Sequence, residues 1–204
     1  MEDVSRSKTF NVITAGYGGQ GVLTLAKILA RAAFITGLDV RQAELHGLSQ
    51  RGGSLVCHIR FGEKVYSPLV RKGGADLIIA LEAAEALRAC RFADPEKTVV
   101  LANAKLFSLA TTKTTPTTIE GSNLEDILAE IEKYAKSVET IDADKIVREL
   151  TGEITSVNIF MLAWALGKGH LPLEKDVVWE AITEILRERF WEENRKVFDT
   201  ALRL

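Results

Sequence analysis

The residues best placed to do chemistry in this chain are glycines. Gly16-Tyr17-Gly18-Gly19-Gln20-Gly21 fits the G-x-G-x-x-G spacing. It lies between a short apolar run (Phe10, Val12, Ile13, Ala15) and a segment whose apolar residues Val22, Leu25, Ala26, Ile28, Leu29, Ala32 and Ala33 recur at helical spacing. A strand passing through such a turn into a helix brings backbone N–H groups to the helix N-terminus, where they face an anion or another ligand. Gly18 and Gly19 are the positions expected to need positive φ or close approach. Three roles stay open for the turn: a seat for a ligand or partner, a dinucleotide site, or a tight strand-to-helix passage that only glycine tolerates. The dinucleotide role calls for an acid roughly 20 residues on, at the end of the second strand, and Glu44 stands near that spacing.

A second glycine-bearing stretch follows, Glu44-Leu-His46-Gly-Leu-Ser49-Gln50-Arg51-Gly52-Gly53-Ser54. Its two adjacent glycines allow close backbone approach. Arg51 offers a planar fork of donors suited to phosphate or carboxylate. Arg51 either meets a ligand or a partner's acid, or pairs internally with Glu44. On the carboxyl edge of an open sheet the two loops would face one crevice, with Arg51 pointing into it.

Other chemistries are poorly provided for. Two cysteines, Cys57 and Cys90, stand far apart without a Cys-x-x-Cys and read as small buried hydrophobes. Three histidines, His46, His58 and His170, are scattered, so no metal site is expected. The chain cannot ligate an iron–sulfur cluster by itself, and any redox group would belong to a partner. The net charge of −2 gives no electrostatic support for nucleic-acid binding. No apolar run approaches the ~20 residues of a membrane span, and Met1-Glu-Asp-Val-Ser lacks a signal-peptide pattern, so a cytoplasmic location is expected.

The elements that must position these loops alternate. Strand 10–15, helix 21–36 and strand 38–44 predict a first β-α-β unit. Leu55, Cys57, Ile59 and Phe61 alternate with Val56, His58 and Arg60 as a strand. Gly62-Glu63 is expected to turn it, with Lys64-Val-Tyr-Ser67 returning as a hairpin partner. Asp76–Leu81 and Lys97–Ala102 are nearly continuous apolar runs, as in strands covered on both faces. Helices are expected at 82–91, 123–136 and 142–150, and a strand at 137–141. Residues 1–9 and the threonine-rich stretch 111–118 read as frayed or exposed. From Thr155 onward only helices are predicted, at 156–166, 174–187 and 190–202. The expectation is one α/β domain with an open, mostly parallel sheet, helices on both faces and a β-hairpin after the second strand. Residues 10–150 form its core, and 155–204 a helical C-terminal part packed on the sheet or on another subunit. At 204 residues the chain can bury roughly 70% of its unfolded surface.

Four segments in order resemble the γ-type domain of the 2-oxoacid:ferredoxin oxidoreductases: Gly16–Val22, Glu44–Gly53, Val56–Leu69 and Thr155–Leu162. Asn103, Pro116, Gly169-His-Leu-Pro-Leu173, Asn194 and Phe198 fit the same pattern. His46-Gly-x-Ser49-Gln50-Arg51-Gly52-Gly53 and Tyr66-Ser-Pro-Leu69 resemble the indolepyruvate branch, in its β-subunit type, rather than the pyruvate or 2-oxoglutarate branches, with the γ subunit of a pyruvate, 2-oxoisovalerate or 2-oxoglutarate enzyme as the alternative. The resemblance implies oxidative decarboxylation of aryl pyruvates to aryl-acetyl coenzyme A with reduction of ferredoxin. It implies an α partner holding thiamine diphosphate, magnesium and iron–sulfur clusters, and none of these bound by this chain alone. The isolated chain is expected to be inactive, with no catalytic residue and no metal of its own. Gly16, Gly18, Gly19, Gln20 and Gly21 become cofactor-contacting candidates. His46, Ser49, Gln50, Arg51, Gly52, Gly53, Asn103 and Asn158 become substrate or interface candidates. A stand-alone dinucleotide-binding protein is the alternative of another class.

Overall fold

A computed structural model describes residues 9–46, 53–106 and 123–204; of His46 only the backbone is described. The expectations for residues 1–8, for Ser49–Gly52 and for the threonine-rich stretch lie outside the described residues.

Among the described residues six strands form one sheet, β1 (Phe10–Tyr17), β2 (Asp39–His46), β3 (Ser54–Gly62), β4 (Leu77–Ala80), β5 (Val99–Asn103) and β6 (Ser137–Ile141), in the order β2-β3-β1-β4-β5-β6. The pairs β1–β4, β4–β5 and β5–β6 are parallel, as the doubly apolar runs predicted. Alternate side chains go to opposite faces. Val12, Leu77, Ile79 and Leu101 join one core, while Ile13, Ala15, Ile78, Val100 and Ala102 join the other.

Two features of the expected order change. First, β3 lies between β1 and β2 and is antiparallel to both. The helix α1 (Val22–Ile35) therefore carries the chain across an occupied strand position before β2 forms. Second, Lys64–Ser67 forms no strand. Both edges of β3 are already paired, so no ladder is open to it; the hairpin after the second strand is β2 with β3 itself. Residues 63–76 instead run as a strap held by side chains of β2 and β3. Val65 N–H donates to Asp39 Oδ2 at 2.9 Å, and Arg60 Nη1 donates to the Ser67 and Leu69 carbonyls at 2.8 and 3.3 Å. Val70 N–H donates to Nδ1 of buried His58 at 3.0 Å.

On the face of Val12 and Ile79 lie α1, α4 (Ala143–Thr151), α5 (Val157–Gly167), α6 (Lys175–Ile185) and α7 (Trp191–Ala201). α5 is buried from Val157 through Ala165 because it lies between the sheet and α7, which is why its sequence is apolar all round. The C-terminal helical part thus packs on the sheet of its own chain. The opposite face carries α2 (Ala83–Ala89), α3 (Leu124–Ile131) and the strap, which inserts Val70 and Ala75 into the second core. α3 begins with a reciprocal cap: Asp126 N–H donates to Asn123 Oδ1 at 2.9 Å, and Asn123 N–H to Asp126 Oδ2 at 3.3 Å. Among the described residues no helix is long and apolar enough to cross a membrane.

Candidate functional site at the carboxyl edge

β1 ends in the glycine turn, and its last residue Tyr17 stands opposite Ser54, the first residue of β3. β3 therefore begins beside the turn. The two stretches touch where Gly18 N–H donates to the Gly53 carbonyl at 3.1 Å. Gly18 and Gly19 are exposed at this rim.

Positive φ falls on Gly19 (99°) and Gly21 (85°), and Gly18 has none. The expectation for Gly18 is corrected in this respect: its role is the approach to Gly53. Gly21 occupies the N-cap of α1 in the left-handed region, and α1 has neither a side-chain cap nor an acid in its first turn. A Cβ on Gly21 would lie 2.6 Å from Asn158 Nδ2. Gln20 folds back so that its Oε1 accepts from Tyr17 N–H at 2.7 Å, closing the turn on itself.

Asn158 reaches the turn from α5, donating through Nδ2 to the Gly21 carbonyl at 3.3 Å. Asn103, fully buried at the end of β5, uses both ends of its amide. Its Oδ1 accepts from Ala143 N–H at 3.0 Å, and its Nδ2 donates to Asp144 Oδ1 at 2.7 Å and to the Leu81 carbonyl at 3.3 Å. The structure thus brings Gly16–Gly21, Gly53 and Asn158 together, and places Asn103 farther along the same edge as an internal clamp. The positions of Ser49, Gln50, Arg51, Gly52 and the His46 side chain lie outside the described residues.

Charged residues that the sequence reading passed over stand beside the turn. Glu82 and Glu85 are fully buried where β4 gives way to α2. Ser54 Oγ donates to Glu85 Oε2 at 2.5 Å. Arg88 bonds Glu85 on one side and donates to the Tyr17 hydroxyl at 2.9 Å on the other. α2 therefore ties both loops of the edge through one carboxylate and one guanidinium. Burial, with the Glu85 and Glu82 charges behind it, raises the Tyr17 phenol above its usual range, so it stays neutral as a hydrogen-bonding group. The signal was available: acids at 82 and 85 follow directly on an apolar strand, at a spacing that puts them on one side of a helix.

Other chemistry finds no support here. Cys57 belongs to the core on the α1 face and Cys90 to the core on the α2 face. Burial pushes their thiols up to about 11 and about 12, so neither is a nucleophile at neutral pH. The two cannot share a cluster across the sheet. Glu44 lies on β2, separated from β1 by β3 and so displaced by two strand spacings, roughly 10 Å. The adjacency that a ribose-binding acid needs beside the glycine turn is not reproduced.

An open, mostly parallel sheet with a glycine turn at its carboxyl edge defines an α/β fold. Residues 11–204 match the family described as pyruvate ferredoxin/flavodoxin oxidoreductase, and the chain belongs to that family. It is 38% identical over 186 residues to indolepyruvate oxidoreductase subunit IorB of Archaeoglobus fulgidus, covering 91% of this chain and 90% of that one. It is 24% identical to the common γ subunit of the pyruvate/ketoisovalerate oxidoreductases of Pyrococcus furiosus, covering 89% of each. Among solved structures, 2-oxoglutarate:ferredoxin oxidoreductase from Magnetococcus marinus shares the fold with a TM-score of 0.69 at 16% identity. The match covers 96% of this chain but 31% of that one.

Proposed function

We propose that this chain is the non-redox subunit of a thiamine-diphosphate-dependent, cytoplasmic 2-oxoacid:ferredoxin oxidoreductase acting on indolepyruvate and other aryl pyruvates. The complex yields aryl-acetyl coenzyme A and passes electrons to ferredoxin. The indolepyruvate branch is favoured over the pyruvate and 2-oxoisovalerate branches by the higher identity to its subunit, 38% against 24%. Iron–sulfur clusters belong to an α partner, since buried cysteines on opposite sheet faces do not fit a cluster, and thiamine diphosphate and magnesium are assigned to the same partner. When bound there, thiamine diphosphate supplies the carbanion chemistry of decarboxylation.

This chain's own contribution is a wall and an anion seat. The observation that carries the reading is the exposed rim at Gly18 and Gly19, held against Gly53 and opening onto an α1 N-terminus without a side-chain cap. Backbone N–H groups and the helix dipole there favour a negatively charged group such as a coenzyme A phosphate. Arg51, on the adjoining loop, would add a bidentate donor to such an anion or to a partner carboxylate. Gln20, Asn158 and the Glu85–Arg88 pair keep the rim in shape.

Calorimetric titration of the chain in its complex with coenzyme A and with NADH tests this seat. Coenzyme A binding that is lost in Arg51→Ala and weakened in Arg51→Lys is expected. NADH binding with no response to coenzyme A would favour the dinucleotide alternative and overturn the reading.

A further inference from the structure

α2 buries a charge that its packing does not require. Ala83, Ala84, Ala86 and Ala89 enter the second core, yet among them the helix encloses the whole side chain of Glu85. An apolar side chain would fill that position without taking a carboxylate out of water. Buried ion pairs contribute little net stability compared with apolar replacements of similar volume, but they can hold one geometry against its competitors.

Both carboxylate oxygens of Glu85 are engaged. Oε2 accepts from Ser54 Oγ at 2.5 Å, and Oε1 accepts from Arg88 Nη1. The same Nη1 donates to the Tyr17 hydroxyl at 2.9 Å. Tyr17 is held at its other end too, since its N–H donates to Gln20 Oε1 at 2.7 Å. Tyr17 and Ser54 are opposite one another at the end of the β1–β3 ladder. One backbone bond lies beyond them, from Gly18 N–H to the Gly53 carbonyl at 3.1 Å. α2 thus grips the residue before Gly18 and the residue after Gly53. The helix is itself anchored at its start, where Ala83 N–H donates to the Lys105 carbonyl at 3.0 Å.

We infer that Glu85 and Arg88 are positioning residues for coenzyme A: through Ser54 and Tyr17 they hold the Gly18–Gly53 contact, and with it the spacing of the rim that meets the anion. This inference rests on the coenzyme A seat proposed above and adds the pair that shapes it. Donors already fixed in place lose less freedom on binding than donors that must first be ordered. Loosening the contact therefore weakens the ligand while every group of the rim is still present.

The test uses the full-length chain, alone for amide hydrogen exchange and in its complex for kinetics. The proteins are wild type, Glu85→Ala, Glu85→Gln and the double variant Tyr17→Phe/Ser54→Ala. In Glu85→Ala the Gly18 amide should exchange about tenfold faster. The Leu25 amide, bonded to the Gly21 carbonyl in α1, should keep its rate. The KM for coenzyme A should rise about tenfold, with the smaller change in kcat. Glu85→Gln keeps an acceptor but loses the charge, so it should fall between wild type and Glu85→Ala. The double variant keeps the ion pair and removes only the two hydroxyls that it holds. It should reproduce the Glu85→Ala effects, and it carries the test alone if Glu85→Ala does not fold. Unchanged Gly18 exchange in the double variant would overturn the inference and leave the coenzyme A seat standing. Faster exchange with an unchanged KM for coenzyme A would also overturn it, because the pair would then be structural only. A wild-type complex whose activity does not depend on coenzyme A would overturn the seat and the inference together.

Discussion

The two faces of the sheet are built by different means. On the α1 side the cover is two helices deep, and α5 is buried on all sides by apolar residues. On the α2 side the cover is thinner among the described residues, and alanines 83, 84, 86 and 89 bring α2 close to the strands. That side also buries Glu82, Glu85 and His58. The first face supplies stability through area and packing. The second holds polar groups at fixed distances and shapes both the carboxyl edge and the strap. The comparison explains how a chain without reactive cysteines still carries buried charge next to its glycine turn.

The largest effect should come from damaging the thick face. Phe160 in α5 is fully buried. Phe160→Ala is expected to cost about 3–5 kcal/mol in denaturant unfolding, a large part of the ~5–15 kcal/mol typical of a domain. An effect under about 1 kcal/mol would mean that this layer does not carry the fold.

The thin face should instead show itself through pH. Burial, followed by the Arg91 and Arg60 charges, holds His58 down at about 4 against an ordinary 6.5. Between those values the unfolded chain binds a proton that the folded chain refuses. Stability from this residue is therefore complete above pH 6.5 and declines as pH falls toward 4, by up to about 3 kcal/mol. His58→Gln cannot titrate, so its unfolding free energy should change less than that of the wild type over this interval. Equal pH dependence in both proteins would show that His58 is not the group responsible.

A smaller effect is expected where the thick face meets the glycine turn. Gly21→Ala places a side chain at φ 85° and against Asn158. The strain should cost about 1–3 kcal/mol. Adding Asn158→Ala should recover the part due to the clash, but not the part due to φ, when the two single variants and the double variant are compared by thermal unfolding. Strict additivity would mean that the two residues do not press on each other.

The central strands were legible in the sequence because burial on both faces writes itself as continuous apolar runs, as in Leu77–Ala80. The C-terminal helices were legible from their period and from the breaks at Gly167-Lys-Gly169 and Leu171-Pro172. The placement of β3 between β1 and β2 was not, because strand order depends on long-range pairing that local periodicity does not encode. For the same reason Lys64–Ser67 read as a strand: its alternation is real, but it reflects a strap with Val65 inward and Tyr66 outward. At the site, the glycine spacing drew attention to Gly19 and Gly21, and the family resemblance to Asn158. The contact of Asn158 with Gly21 spans 137 positions and needed the fold. Glu85 and Arg88 were passed over because charges at the start of a helix usually face solvent, whereas here the strands and Tyr17 enclose them.

The measurement closest to the central claim is reconstitution. Purified chain should reduce no acceptor with indolepyruvate and coenzyme A, because among the described residues no group of three or more His, Cys, Asp and Glu side chains could hold a metal ion. With the large subunit added, ferredoxin reduction should appear, require both indolepyruvate and coenzyme A, and saturate at a fixed ratio of the two chains. Oxidation of indolepyruvate by the chain alone, or full activity of the large subunit without it, would contradict the account.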